Sequence, residues 1–326
     1  MRRGKISENV LKRSVFKKIG NHRDEVINGA GVGTDCAVLS FGEGYETVLS
    51  TTPVTAPIEE ICAYAIPMAF NNIAAAGAEP VGVMLSVMLP EDTQESGLQA
   101  MMEQAEQICG ACGAQIIGGH TEVVPYITHP IVTATGVGRR DAGRTAGMQG
   151  IQAGQEIVVS KWIGLEGTVR LAREREKELC GRYPAKMVRE AAAFDRYLSV
   201  IPEAATAIKS GVCGMHDVSR GGIFGALWEL AQSAGVGLEI ELKKIPLRQE
   251  TVEICEFFEI NPYELLSGGC LLMTTADGGA LAAALMRENI PAAVIGRTTQ
   301  GNDRVLYNDE EKRYLDKPKT DQIYFA

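Results

Sequence analysis

The spacing of apolar residues changes character several times along this chain, and each change marks an element. Tyr45 to Thr51 reads as a strand. Glu59 to Gly77 reads as a helix, although Pro67 complicates its middle. Val81 to Leu89 is a continuous apolar run, which suits a strand buried on both faces. Asp92-Thr93-Gln94-Glu95 has the form of a capping box, with Asp92 accepting from first-turn amides. In the helix that follows, Leu98, Met101, Met102, Ala105, Ile108, Cys109 and Cys112 form one stripe, closed by Gly113. Ala114 to Ile117 is a short strand running into a loop at Gly118–Glu122, and Ile131 to Val137 alternates like a half-exposed strand.

Residues 139–154 break the pattern, being rich in Gly, Arg, Ala and Gln without a period. A domain boundary is expected there, giving domains 1–148 and 149–326. The second half opens with a strand over Glu156–Ser160. A long helical region follows from Pro184 to about Lys209, with a possible break at Pro202. After His216-Asp217-Val218-Ser219-Arg220-Gly221-Gly222, a helix carries Ile223, Ala226, Leu227, Leu230, Ala231 and Ala234 on one face. Gly237–Leu242 and Gly269–Thr275 read as strands, Ala280–Glu288 as a helix and Ala292–Ile295 as a last strand. Strands and helices mix in both halves, so the fold class is α+β with two domains.

Composition narrows the function. With 326 residues, 45% of them hydrophobic and 22% charged, the chain is an ordinary globular protein. No apolar run reaches the roughly 18–20 residues of a membrane span, and the N-terminus has no signal-peptide core. A net charge of −9 argues against nucleic acid, the basic cluster from Arg2 to Lys18 being the local exception. Eight cysteines share no framework spacing and read as reduced thiols in the cytoplasm. Only Cys109-Gly110-Ala111-Cys112 has redox or metal spacing, and it lies on the apolar stripe of its helix, with no second such pair and no neighbouring His.

Four segments combine glycine with carboxylate, hydroxyl or amide groups. Asn28-Gly29-Ala30-Gly31-Val32-Gly33-Thr34-Asp35 lets backbone amides approach a ligand, with Asp35 able to hold a cation or simply to cap a tight turn. Asn71-Asn72 sits in an otherwise apolar helix, where two amides need partners and can equally serve helix packing. Gly118-Gly119-His120-Thr121-Glu122 suits a phosphate or Mg²⁺ site, or else a strand-end turn. The segment from His216 to Gly222 opens a helix whose amides favour anions; Arg220 can clamp a phosphate, or Ser219 or Asp217 can act as the N-cap.

Together and in this order, the four segments resemble the superfamily of aminoimidazole ribonucleotide (AIR) synthetase, HypE, thiamine-monophosphate kinase and selenophosphate synthetase, nearest to HypE and the AIR synthase-related proteins. Gly33-Thr34-Asp35-Cys36-Ala37-Val38 is similar to Gly-Asp-Asp-Ala-Ala-Val, and Asn71 to Pro80 to Asn-Asp-Ile/Leu-Ala-x-x-Gly-Ala-x-Pro. Gly118 to Val123 is similar to Gly-Gly-Asp-Thr-Lys-Val, and Asp217 to Gly222 to Asp-x-Thr-Arg-Gly-Gly; Ala292 to Arg297 fits the family's end. The resemblance implies a PurM-like fold whose N-terminal sheet domain joins that of a second chain in a dimer barrel. It also implies ATP and Mg²⁺ in a cleft between the domains, and activation of an oxygen by phosphorylation.

The departures are equally specific. Asn72, Thr34 and His120 stand where the pattern has Asp, Thr51-Thr52-Pro53 replaces a strand end with Asp, and Ser267-Gly268-Gly269 replaces Asn-Glu-Gly. The C-terminal Cys that carries HypE's reacting group is not found in Asp321 to Ala326, so carbamoyl dehydration in cis is not expected. The assignment that follows from the resemblance has Asp35 and Glu122 on a cation. Gly31, Gly33, Gly118 and Gly119 present amides to phosphates, with Asn71, Asn72, Thr121, Arg220, Gly221 and Gly222 completing the nucleotide site. His120 and Asp217 are the candidates for acid–base chemistry. The expected activity is that of an ATP-dependent ligase or kinase on a small molecule, with a maturation protein as a further partner. The alternative is a catalytically silent dimer that binds nucleotide or a partner in a hydrogenase-type maturation pathway.

Overall fold

The computed structural model describes residues 4–5, 8–28, 38–143, 147–148, 150–317 and 319–326. It divides into two units, Met1–Ala74 with Ala78–Arg144, and Thr145–Ala326 with Ala75–Gly77. No helix among the described residues is long and apolar enough to cross a membrane.

The first unit runs β1 (Gly4–Lys5), α1 (Glu8–Ser14), β2 (Val26–Asn28), β3 (Val38–Leu39), β4 (Tyr45–Thr55), α2 (Ile61–Ala75), β5 (Glu79–Leu89), α3 (Glu95–Ala111), β6 (Gln115–Val123) and β7 (Ile131–Asp141). Its main sheet has the order β1-β6-β5-β7-β4. The β5–β6 pair is parallel, with α3 as the crossover. Alternation along β5 sends Val83, Leu85, Val87 and Leu89 into the core. Gly136 and Gly138 of β7 let α2 sit close to the sheet, since a Cβ at 136 would lie 2.8 Å from Ile73 Cδ1. The opposite face stays open, with Leu49 65%, Met88 40% and Met84 36% exposed.

Asp92 does not cap α3. The N-cap is Gln94, with no side-chain cap. Asp92 lies in a tight turn closed by Thr93 N–H on the Pro90 carbonyl, and first-turn Glu95 is taken up by Arg13 and by Ser14 Oγ at 2.8 Å. The Cys109–Cys112 stripe is as expected: Cys109 is buried, Cys112 half-buried, and Gly113 closes the helix at φ 67°.

The second unit runs β8 (Glu156–Ser160), α4 (Leu165–Glu174), α5 (Glu176–Leu179), α6 (Ala185–Ala192), α7 (Ile201–Lys209), β9 (Gly214–Val218), α8 (Gly222–Ala234), β10 (Gly237–Glu241), α9 (Gln249–Phe257), β11 (Cys270–Thr275), α10 (Gly278–Arg287), β12 (Ala292–Thr299), β13 (Arg304–Asn308) and β14 (Glu311–Tyr314). The expected long helix from Pro184 to Lys209 is two helices joined by a 3-10 turn at Ala193–Tyr197. Pro202 sits in the first turn of α7, where its missing N–H costs nothing. The seven-stranded sheet has the order β14-β13-β10-β12-β8-β11-β9. Ile223, Leu227 and Leu230 of α8 pack in one core with Ile157, Val159, Val218, Leu238, Ile240 and Leu272 of the sheet. Each such fully buried side chain contributes about 1.5–3 kcal/mol. A smaller core joins α4, α6 and α9 through Leu171, Val188, Ile254 and Leu265.

Candidate functional site

The residues singled out in the first unit lie on β6 and α2, and the structure does not bring them to one place: Asn72 of α2 meets β4, three strands from β6. Gly118–Glu122 is not a loop: it continues strand β6, paired with β5 at Ser86↔His120 and Met88↔Glu122. The two glycines fit because the pairing shifts register between Val83 and Met84. Gly119 passes so close to the Leu85 backbone, with a Cβ 2.9 Å from Leu85 N and nearer still to its carbonyl oxygen, that any side chain is excluded. Strand alternation then divides the motif. His120 and Glu122 face the open side, and Thr121 is buried. His120 Nε2 lies 3.1 Å from Glu122 Oε2, so one nitrogen and one carboxylate stand ready together on the exposed face.

The two asparagines of α2 are likewise separated, because adjacent helix positions point about 100° apart. Asn71 is buried, while exposed Asn72 donates through Nδ2 to Ser50 Oγ on β4 at 3.0 Å. Gly31, Gly33 and Asp35 lie outside the described residues. Among the described residues, no group of three or more His, Cys, Asp and Glu side chains is placed to hold a metal. Glu122 with His120 is therefore the local donor set, and a cation there needs phosphate oxygens and water to complete its shell.

In the second unit the predicted residues surround the start of α8. Neither Ser219 nor Asp217 is its N-cap. That position is Gly221, at φ 79°. The capping oxygen comes from the far end of the sequence instead: Gly221 N–H donates to Asp321 Oδ2 at 2.6 Å. The other carboxylate oxygen accepts from Leu266 N–H at 3.2 Å and Ile323 N–H at 2.9 Å. A carboxylate at a helix N-terminus meets both free amides and the positive end of the dipole. Gly222, at φ 62°, is held against the 262–264 turn, where a Cβ would lie 2.9 Å from Glu264 Cα. Arg220 is exposed.

Asp217 lies inside β9, buried, with Oδ1 lacking a partner among the described residues. Burial, then the neighbouring charge of Glu166, pushes its carboxyl up to about 8, against the pull of Lys161. Glu166 was not singled out from sequence. It is 1% exposed, its Oε1 has no partner among the described residues, and burial pushes it up to about 7. Its signal was local: one acid between Gly164 and Gly167, inside the apolar run Trp162 to Val169. Beside these two carboxyls, buried Lys161 pairs with Glu203 at 2.5 Å and donates to the Tyr197 and Ser199 carbonyls at 2.7 and 2.6 Å. The arrangement can hold a proton near neutral pH behind a glycine-rich helix start.

The sequence matches AIR synthase related protein, N-terminal domain, over residues 33–140, and AIR synthase related protein, C-terminal domain, over residues 152–308. It is 30% identical over 290 residues to carbamoyl dehydratase HypE of Rhodobacter capsulatus, covering 87% of this chain and 82% of the relative. A putative hydrogenase expression/formation protein of Methanocaldococcus jannaschii is 25% identical, with 98% and 96% covered. In fold, the chain is similar to the crystal structure of hydrogenase maturation protein HypE in complex with ATP, with a TM-score of 0.81, 18% identity, and 97% and 95% covered. The two-domain fold is thus the PurM-like α+β fold. Matched through both units and by a relative over most of its length, the chain belongs to the AIR synthase related family.

Proposed function

We propose that this protein is a HypE-like member of its family that binds ATP or another phosphorylated ligand and activates an oxygen of a small molecule. The match to a carbamoyl dehydratase HypE through both units carries this reading. ATP supplies the phosphoryl group, and Mg²⁺ neutralises its charge. Glu122, with Asp35, holds the cation. His120 donates beside Glu122 on the open face of β6, whereas Asn72 bonds Ser50 on the helix side of the sheet and stays outside that site; the amides of Gly31 and Gly33 reach the phosphates. Buried Asn71 and Thr121 support that surface from beneath. In the second unit, exposed Arg220 is the group that meets anionic oxygens, since the Gly221 and Gly222 amides are already bonded to Asp321 and to the Ser219 carbonyl; in the first unit, His120 is the group that exchanges a proton.

The protein acts as a homodimer joined through the open face of the first unit's sheet, whose exposed Leu49, Met84 and Met88 support that use. Its place is the cytoplasm, in keeping with free thiols at every described cysteine. A maturation-protein partner is supported by the hydrogenase expression/formation relative.

The test is thermal unfolding with ATP, with and without Mg²⁺. Ligand at a hundred times its dissociation constant stabilises by about 2.7 kcal/mol, so the unfolding temperature rises with ATP concentration. A melting curve that millimolar ATP leaves unmoved in both conditions removes the nucleotide reading.

A further inference from the structure

A cavity of about 130 Å³ lies inside the second unit, between the first turns of α8, strand β14 and the chain that follows it. Its floor is apolar, made by Phe224 of α8, Leu306 of β13 and Leu315, all buried. Its rim is cationic, made by exposed Arg313, Lys317 and Lys319. The strand ladder explains the arrangement. Arg313 is the register partner of Leu306, and Leu306 belongs to the core that α8 closes, so Arg313 rises on the same side of the sheet. Its guanidinium stands 5.8 Å from the centroid of the Phe224 ring, and Tyr263 stacks on that ring at 5.1 Å.

The walls are fixed. Leu315 N–H donates to the Arg304 carbonyl at 2.8 Å, where the chain leaves β14. Farther on, Asp321 takes the amides of Gly221, Leu266 and Ile323. The segment between Leu315 and Asp321 is thus held at each end beside the start of α8, and the space it encloses stays open.

Charge decides what fits that space. Of the two acids on the cavity, Glu264 accepts from Gln322 Nε2 at 3.1 Å, and Asp316 pairs with Lys319 at 3.6 Å. Arg313 and Lys317 have no carboxylate partner among the described residues, in a chain with 41 acids to 32 Lys and Arg. A bare inorganic anion would lose its water against Phe224, Leu306 and Leu315. An organic anion meets both surfaces, with its apolar body on the floor and its head between Arg313 and Lys317. A carboxylate is the head whose plane matches the guanidinium fork. Size limits the body: an apolar cavity of ~150 Å³ admits a benzene ring, so this one takes a single ring or a short chain and excludes a nucleotide.

We propose that this cavity binds a small organic carboxylate with a body no larger than one ring, its head held by Arg313 and Lys317 and its body on Phe224, Leu306 and Leu315. The site does not rest on the nucleotide reading above.

The experiment titrates the full chain with benzoate, benzamide and naphthoate, read by saturation-transfer NMR on the ligand, with inorganic phosphate added as a competitor. Benzoate binds in the millimolar range. Benzamide has the same shape without the charge, naphthoate is too large, and each binds about tenfold more weakly. Phosphate does not displace benzoate. Arg313→Gln and Lys317→Gln each weaken benzoate by about fivefold. Arg297→Gln removes the same charge from the other face of the sheet, where Arg297 is the register partner of Glu239, and leaves benzoate binding unchanged. All three variants change exposed side chains, and their circular dichroism stays that of wild type. Benzoate that shows no transfer, binds no better than benzamide, or binds both rim variants as it binds wild type overturns the site. Naphthoate that binds as well as benzoate, phosphate that displaces it, or an equal loss in Arg297→Gln indicates an open cationic surface and overturns it too.

Discussion

At the scale of single residues, the buried acids decide how stability responds to pH. Asp217 is held up to about 8, chiefly by burial, against an ordinary value near 3.8. Below its unfolded value it is protonated in both states and contributes nothing. As pH rises, the unfolded chain gives up the proton while the folded one keeps it, so stability falls until the folded value is passed. Asp217→Asn removes this loss. The difference in unfolding free energy between variant and wild type should move in the variant's favour as pH climbs, and level off above about pH 8. A difference that stays constant with pH refutes the buried-acid assignment. The thiols of Cys109 and Cys112 are also raised by burial, Cys112 to about 11, so neither is a ready nucleophile at neutral pH. Their stripe was legible because helical period and burial coincide. Glu166 was not, because a single acid inside an apolar run leaves no periodic or capping signature.

At the scale of elements, strands built on apolar runs were readable and helix starts were not. Glu156–Ser160 was read to the residue, whereas β14 escaped because all four of its side chains are exposed and leave no pattern. The glycine pair at 118–119 passed for a loop because a register shift, which makes glycine fit inside a strand, has no sequence signature. The cap of α8 was illegible for a related reason. Capping patterns are local, but the oxygen on Gly221 comes from Asp321. That contact ties three amides to one buried carboxylate, so Asp321→Ala should cost about 1–3 kcal/mol, more than an exposed cap. The loss should appear as a lower denaturant midpoint, with Asp321→Asn recovering part of it. An Ala variant with the wild-type midpoint shows that the C-terminal segment does not secure the helix start.

At the scale of the whole molecule, the open sheet face of the first unit is what the single chain leaves unfinished. Thr135 of β7 pairs with Thr51 of β4 on one side and Met84 of β5 on the other, and Met88 lies opposite Ile131. Thr51 and Thr135 hydroxyls meet at 3.0 Å. Exposed Leu49, Met84 and Met88 therefore share one continuous surface of small hydroxyls and large apolar groups, with His120 and Glu122 farther along the same face. A stable pair of chains needs about 800 Å² covered on each, and a strand-alternating face of this kind can supply it through sheet-on-sheet packing. A lysine at position 84, mid-strand between Gly118 and Thr135 with no acid opposite, would have to be buried without a partner, which costs several kcal/mol. Met84→Lys should shift the protein from dimer to monomer in light scattering at micromolar concentration, with its circular dichroism unchanged, because the side chain points away from the core. Glu241→Lys, on the second unit, should leave the dimer intact. If wild type scatters as a monomer, or Met84→Lys as a dimer, the open face is not where two copies meet.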